Sequence, residues 1–454
     1  MEPSRKSEGR RFLLDSLILV GLTQSGSVLH LVFQMMATRT MTKEDYGLFA
    51  ALMNIFLLVY MPSFTFQAVV SKFSSEALVR DGMPAVRAIG RTVTFAGFVA
   101  FAAMLLFFVV FSGPIAARLQ SAHRAPVIFL GVFTSLYFTS IFWQGILQGI
   151  QRFWRLGISL FSAGFTRCAA GFLVFAPYLA PLVLDGRPLF SFRDLFPDAW
   201  RPDSNPQVLT VMVAQAASAV GVAAVVFAFV RVSLRGGARA PAPKGLLRTM
   251  LAYGAPLILG NLFYAFALYG DQTIVQSRFA GVDAGLFAYA MIYGKAVIYL
   301  PWSFVPVMLP KVTTALAKGE DPAPYLWRTL RLGTLSSLAA FGLAIGFPTT
   351  FLRYAGGENT VGAAGLLQGY SIAMFFMGLD YVVMNYLFAI NRFKFLVPFG
   401  GIILAQTAAM LFIARSPVGC IAIEIAGSAA ALVVLLLALP SRKAPAILPP
   451  SKSP

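Results

Sequence analysis

Residues 92–112 read TVTFAGFVAFAAMLLFFVVFS, twenty-one residues without a charge that begin directly after Arg91. About 20 apolar residues make a helix long enough to cross a hydrocarbon core of roughly 30 Å. Backbone polar groups cannot be left unpaired in lipid. A segment of this length pairs them as a helix, because barrel strands need only about ten residues. The same pattern runs outward in both directions. Spans are predicted at about 13–35, 46–70, 92–112, 126–149, 157–180, 207–230, 249–270, 284–309, 330–348, 362–388, 396–414 and 418–439. The fold class that follows is all-α: a polytopic membrane protein of about twelve transmembrane helices.

Composition agrees. The 454 residues are 58% hydrophobic and 12% charged, where a soluble domain carries about a quarter charged residues. The net charge of +18 would suggest nucleic acid in a soluble chain. Here it follows from basic cytoplasmic loops, so no nucleic-acid partner is expected. Alternate connections hold twenty-four Lys and Arg against ten in the other set. That bias places both termini in the cytoplasm. Residues 1–12 read as a cytoplasmic tail, 231–247 as a Gly/Pro/Arg linker between two lobes at 13–230 and 248–439, and the Pro-rich 440–454 as a disordered tail. The outer loop 181–206 is too short for a domain. No cleavable signal peptide is visible, since the first apolar run is too long for one. Cys168 and Cys420 lie in apolar segments, and His30 and His123 are the only histidines. No disulfide, metal site or cofactor is predicted.

The two halves repeat. Asp45-Tyr-Gly47-Leu48-Phe49-Ala50 recurs as Asp283-Ala-Gly285-Leu286-Phe287-Ala288, Tyr60-Met-Pro62 as Tyr299-Leu-Pro301, Lys72 as Lys311, Arg91-Thr92 as Arg328-Thr329, and Gln151-Arg152-Phe153 as Asn391-Arg392-Phe393. The offsets stay between 237 and 240. Six spans per repeat point both halves the same way, giving two pseudo-symmetric six-helix lobes, a common transporter plan. A purely structural duplication is the duller reading.

The segment Lys43-Glu-Asp-Tyr-Gly-Leu-Phe49 and the run Leu147-Gln-Gly-Ile-Gln-Arg-Phe153 resemble signatures of the polysaccharide biosynthesis and export proteins. These are the Wzx-type oligosaccharide flippases of the multidrug/oligolipid/polysaccharide exporter superfamily. The resemblance runs through both halves. It implies a V-shaped bundle around a central cavity, alternating access, and a polyprenyl-pyrophosphate-linked oligosaccharide as cargo. It further implies the bacterial inner membrane, lipid contacts, and a polysaccharide polymerase as a downstream partner. It carries no set of catalytic residues onto this chain, and the extra C-terminal spans frequent in such flippases are missing.

Charged residues at membrane depth are costly and usually functional. Arg167 and Lys295 fall near the middle of their spans and suit a pyrophosphate. The alternative is structural pairing with Asp380 or Glu424, or snorkelling. Gln24, Ser27 and Gln34, with His30 beside them, form a polar stripe on the first span, and Asn261, Tyr264 and Asp271 repeat it at an offset of 237. Both stripes are expected to line one cavity; ordinary interhelical hydrogen bonding is the alternative. For His30, phosphate binding or proton uptake stands against a satisfied buried imidazole. Asp271, Asp380 and Glu424 are candidates for Na⁺ or H⁺ coupling, or for pairing with Arg or Lys. Tyr293, Tyr299 and Trp302 flank Lys295 and are candidates to stack on sugar rings. Pro62, Pro256, Pro301, Pro306 and Pro310 mark kinks suited to a rocking motion. No phosphate-binding loop, nucleophile triad or large soluble loop is visible, so no enzyme is predicted. Two rivals to the flippase remain: a cation-coupled multidrug antiporter, and a membrane glycan polymerase or ligase.

Overall fold

The computed structural model describes residues 5–178, 182–184, 187–190, 207–236, 245–279, 281–302, 304–317 and 320–440, with side chains from Gly21 onward except at 182–184, 187–190, 306, 307, 310, 313, 314 and 317. Of the predicted tails 1–12 and 440–454, residues 5–12 open the first helix, while 1–4 and 441–454 lie outside the described residues, as do 237–244 of the linker. So does the loop 181–206, apart from an antiparallel hairpin of β1 (Leu182–Leu184) and β2 (Arg187–Phe190).

The other elements among the described residues are all helices, and the chain is a polytopic membrane protein of about twelve helices. The helices are α1 (Arg5–Thr40), α2 (Lys43–Val110), α3 (Ser112–Arg118), α4 (Ala125–Gly149), α5 (Phe153–Phe175), α6 (Val208–Ser233) and α7 (Leu246–Arg278). They continue with α8 (Gly281–Gly294), α9 (Ala296–Trp302), α10 (Val305–Ala317), α11 (Ala323–Gly346), α12 (Pro348–Gly356), α13 (Ala364–Ala389), α14 (Leu396–Phe412) and α15 (Pro417–Leu437). Among the described residues nine helices are long and apolar enough to span a membrane. Large apolar side chains point outward at intramembrane positions, with Phe95 at 72% and Phe412 at 80% exposure. In water such surfaces would be a liability; in a bilayer they face hydrocarbon.

The sequence predicted a loop between the second and third spans. Instead α2 runs for 68 residues with one interruption at Gly82 (φ 71°, ψ −167°), a backbone shape that favours glycine. The helix folds back there. Phe56 on the first arm and Phe108 on the second meet α4 near Phe133 and Gly131. Val70 and Gly90 meet it near Gly145 and Ile146. The two arms are therefore antiparallel, and both lie along α4.

The repeat is visible in hydrogen bonds. α4 ends with Gln151 in the left-handed region (φ 56°), where the Arg152 N–H donates to the Leu147 carbonyl (3.0 Å) and the Gln151 N–H to Gln148 (3.0 Å). α13 ends with Asn391 (φ 54°), where Arg392 donates to Leu387 (2.9 Å) and Asn391 to Phe388 (3.0 Å). Both are the same left-handed helix stop. This is why Gln-Arg-Phe and Asn-Arg-Phe recur.

The halves differ elsewhere. The first arm of α2 is continuous through Pro62, whereas its counterpart from Gly281 is broken into α8, α9 and α10. The first division is a one-residue turn at Lys295, across which hydrogen bonds continue: the Lys295 N–H donates to the Met291 carbonyl (3.1 Å) and the Tyr299 N–H to the Lys295 carbonyl (3.4 Å).

Two compact units result: residues 1–262 with 280–285, and 263–279 with 286–454. They meet in the chain inside α7, whereas the sequence suggested the linker 231–247.

Candidate functional site: two buried cations

In the first unit α5 packs tightly on α1. A Cβ on Gly164 would overlap the Gly26 backbone, and one on Gly171 would overlap the Phe33 ring. Small residues at such spacing let membrane helices approach closely. This approach brings Arg167, the fifteenth residue of the 23-residue α5, over the Phe33 ring at 4.8 Å from its centroid. The Phe133 ring lies 5.9 Å away, and an Nη2 hydrogen bonds to Met53 Sδ at 3.4 Å. Tyr46 and Tyr137 face the same guanidinium, as does His30, which stacks on Phe33 (6.5 Å, 12°). The side chain is half-buried, and its Nε is buried without a hydrogen-bond partner. Among the described residues no carboxylate pairs with Arg167. Aromatic faces and a thioether soften the charge without neutralising it.

The polar stripe on α1 divides. Gln24 and Ser27 are exposed, with Ser27 Oγ donating to the Thr23 carbonyl at 3.1 Å. Gln34 is buried, its Nε2 donating to Tyr46 Oη at 2.8 Å. In the same unit the half-buried Asn261 donates to Thr65 Oγ1 (3.1 Å), and Gln67 donates to Gln148 Oε1 (2.9 Å). Lys72 sits 3.8 Å over the Tyr253 ring. Asn261 and Gln34 thus serve interhelical hydrogen bonds, the alternative left open by the sequence.

In the second unit Lys295 is 2% exposed and interacts with Asp271 and Glu424, with its Nζ 4.4 Å from the Tyr269 ring centroid. Asp271 Oδ2 accepts from Tyr370 Oη (2.7 Å), and Oδ1 accepts from the Gln272 N–H (2.7 Å). Both oxygens of Glu424 are buried without a hydrogen-bond partner. Lys295 is thus enclosed, with the charges of Asp271 and Glu424 acting on it; of the two partners weighed from the sequence, Asp380 and Glu424, the second is the one within electrostatic reach.

A cluster of aromatics lies nearby. Trp302 Nε1 donates to Tyr264 Oη (3.2 Å), which donates to the Met377 carbonyl (2.9 Å). Tyr381 stacks obliquely on Trp302 at 4.7 Å and on Tyr264 at 5.2 Å. Tyr299, 48% exposed, abuts Trp302 at 5.7 Å, so this cluster has one open edge. Tyr264 (1%) and Tyr293 (7%) are enclosed, the latter against Phe351. Neither presents a face for a sugar. Asp380 is buried, its Oδ1 without a partner, in the electrostatic reach of Tyr264 and not of Lys295.

Sequence reasoning missed Phe33, Met53, Phe133, Tyr137, Tyr269, Tyr370 and Tyr381. In a chain with 42 Phe and 15 Tyr, an aromatic that serves a site carries no signal distinct from one that faces lipid.

No family profile and no curated protein sequence matches the chain. Solved structures do match its fold. An inward-facing multidrug resistance MATE family transporter of the MOP superfamily superposes with a TM-score of 0.71 at 9% identity, over 93% of this chain and 97% of that one. The lipid II flippase MurJ in an inward closed conformation gives 0.68 at 13%, over 94% and 87%. A MOP superfamily transporter from Pyrococcus furiosus, described as having a binding pocket of reversed polarity, gives 0.56 at 11%, over 94% and 93%. At these identities the likeness is one of fold.

Proposed function

We propose that the chain is a flippase. It carries a polyprenyl-pyrophosphate-linked oligosaccharide from the cytoplasmic to the periplasmic leaflet of a bacterial inner membrane by alternating access, and hands it to a polysaccharide polymerase. The observation that carries this reading is Arg167, a half-buried guanidinium at mid-span without an anionic partner among the described residues. Guanidinium binds phosphate oxygens in pairs, and a site that shields it from water strengthens the contact. The exposed Gln24 and Ser27, and His30 beside Arg167, supply polar contacts on the same unit. Within the second unit, taken by itself, Tyr299 and Trp302 present flat apolar faces of the kind on which sugar rings stack. A cleft of about 540 Å³ in the first unit, lined by residues such as Ile55, Val59, Met104, Phe107 and Phe138, is hydrocarbon throughout and suits an isoprenoid tail.

The rival antiporter needs accessible anionic groups for cationic drugs. Asp271 and Glu424 are enclosed with Lys295, and the deep charge that keeps some exposure, Arg167, is basic. Transport would draw on an ion gradient through the carboxyl groups Asp271, Asp380 or Glu424.

The test is flipping of a fluorescent polyprenyl-pyrophosphate glycan in proteoliposomes. Loss of a charge-assisted hydrogen bond, worth about 1.5–3 kcal/mol, lowers the rate of Arg167→Gln by about 10- to 100-fold, with partial recovery in Arg167→Lys. Wild-type flipping by well-folded Arg167→Gln overturns the assignment. Efflux of cationic dyes with no glycan flipping selects the antiporter.

A further inference from the structure

Where α5 starts and α6 ends, the first unit gathers cations remote from Arg167. The left-handed stop at Gln151 leads into Arg152, Phe153, Trp154 and Arg155, which open α5. Arg155 is held in one position. Its Nη1 donates to Ser233 Oγ at the end of α6, and that hydroxyl donates to the Phe229 carbonyl (2.7 Å). The guanidinium carbon lies 5.2 Å from the centre of the Trp154 ring, which in turn meets the Phe229 ring edge-on at 5.8 Å. The Nε of Arg155 is buried without a hydrogen-bond partner. Trp154 is 43% exposed, and Arg152 is exposed near it. One face of α5 continues from Trp154 into the span as Ile158, Phe161 and Phe165, at helical spacing. Phe161 and Phe165 stack at 5.8 Å, and Phe165 is well exposed.

The helix itself gives no reason for these cations. A helix start carries partial positive charge and favours acids, yet the first turn of α5 holds no acid. Arg231, by contrast, lies in the last turn of α6, where the dipole does favour a cation. Ion pairing gives no reason either. Among the described residues neither Arg152 nor Arg155 has a carboxylate within 4 Å, whereas Lys72 of the same unit pairs with Glu76 at 3.9 Å. A general basic bias at a membrane boundary needs no fixed geometry, and Arg155 has one. The repeat shows the difference. After the corresponding stop at Asn391, Arg392 is kept, but Lys394 stands in the place of Trp154 and the buried Phe395 in the place of Arg155. The braced guanidinium belongs to the first unit.

We propose that Arg152, Trp154 and Arg155 bind the phosphate of an anionic membrane phospholipid, with an acyl chain lying along Ile158, Phe161 and Phe165. Guanidinium matches phosphate oxygens in pairs, and a side chain already fixed by Ser233 and Trp154 loses little freedom on binding. Tryptophan settles at the level of lipid headgroups, so its ring sets the depth at which the phosphate meets the two cations. The apolar stripe below it gives the chain of the same lipid a surface to follow. On the loop bias read from the sequence, the leaflet is the cytoplasmic one. The site makes no use of Arg167 and does not rest on the identity of the cargo, so the two fail separately.

The full chain is purified in a neutral maltoside detergent and titrated with phosphatidylglycerol or phosphatidylcholine, and bound lipid is counted by native mass spectrometry. The wild type retains one phosphatidylglycerol about tenfold or more in preference to phosphatidylcholine. Affinity falls about fivefold in Arg152→Gln and about 30-fold in the double variant Arg152→Gln/Arg155→Gln, as two boundary cations lose an anionic headgroup. Arg118→Gln/Arg124→Gln removes two exposed cations at the opposite end of the same unit and leaves the affinity unchanged. So does Arg167→Gln. The proposal is overturned if the Arg152 and Arg155 variants bind as the wild type does, or if phosphatidylcholine is retained equally. It is also overturned if the Arg118→Gln/Arg124→Gln control loses as much affinity, since charge alone then attracts the lipid, or if Arg167→Gln does, since the lipid then occupies the cargo site. Displacement of the lipid by millimolar inorganic phosphate overturns the lipid assignment in favour of a free anion. Should the double variant fail to fold, Arg152→Gln, whose exposed side chain braces nothing, decides with the same controls.

Discussion

Arg167 and Lys295 sit in corresponding units of a duplicated fold, each a cation at membrane depth, and their surroundings are opposite. Arg167 is half-buried among Phe33, Phe133 and Met53 with no carboxylate partner among the described residues. Lys295 is sealed, with Asp271 and Glu424 beside it. The helices differ too. The arm of α2 beside Arg167 is regular, while the span that holds Lys295 has a one-residue turn there. Duplication preserved the helix order and the stops at Gln151 and Asn391, and each unit's charge was then settled by its own neighbours. Under the proposed function, the unpartnered cation is the one that binds an anion from outside. A partnered one belongs to the protein's own electrostatics.

This contrast can be broken experimentally. Asp271→Ala has the largest expected effect on stability. It strips the buried Tyr370 hydroxyl of its acceptor and leaves the buried Lys295 without a carboxylate whose charge acts on it, and leaving a buried charge uncompensated costs about 3–5 kcal/mol. Thermal unfolding in nanodiscs measures it. A change below about 1 kcal/mol would show that Lys295 does not depend on Asp271. Gly164→Leu comes next. Its side chain must displace Gly26, and the overpacking costs about 1–3 kcal/mol and moves Arg167 away from Phe33; loss of folded yield reads it out. Arg167→Met is expected to leave stability within about 1 kcal/mol, because it removes a desolvated charge that has no ionic partner to orphan. The same variant loses transport, and that pairing of outcomes separates the two cations. The smallest effect falls on Arg353→Ala. Its 2.7 Å pair with Glu358 is well exposed, and such a pair contributes about 0–1 kcal/mol, so neither folding nor flipping changes.

The spans, their count and the repeat were legible because lipid leaves little choice. An uncharged run such as Thr92–Ser112 must be helical, and the left-handed stop at Gln151 and Asn391 leaves the same three-residue trace twice. The fold-back of α2 was not legible. Gly82 lies in a polar, charged stretch that reads as an ordinary loop, and only the pairing of both arms with α4 shows that helix continues up to it and beyond. The turn at Lys295 was equally hidden, since prolines at 301, 306 and 310 drew attention further along the span.

Residue identity located the deep charges, and it could go no further. Arg, Lys, Asp and Glu at membrane depth announce themselves because burying each one costs energy wherever it points. Whether that cost is met inside the chain or left for a ligand is a matter of distance between helices far apart in sequence. Asp271, Lys295, Tyr370 and Glu424 span more than 150 positions and meet only because α7, the turn between α8 and α9, α13 and α15 pack together. Arg167 meets no such partner, and that too was decided by packing alone.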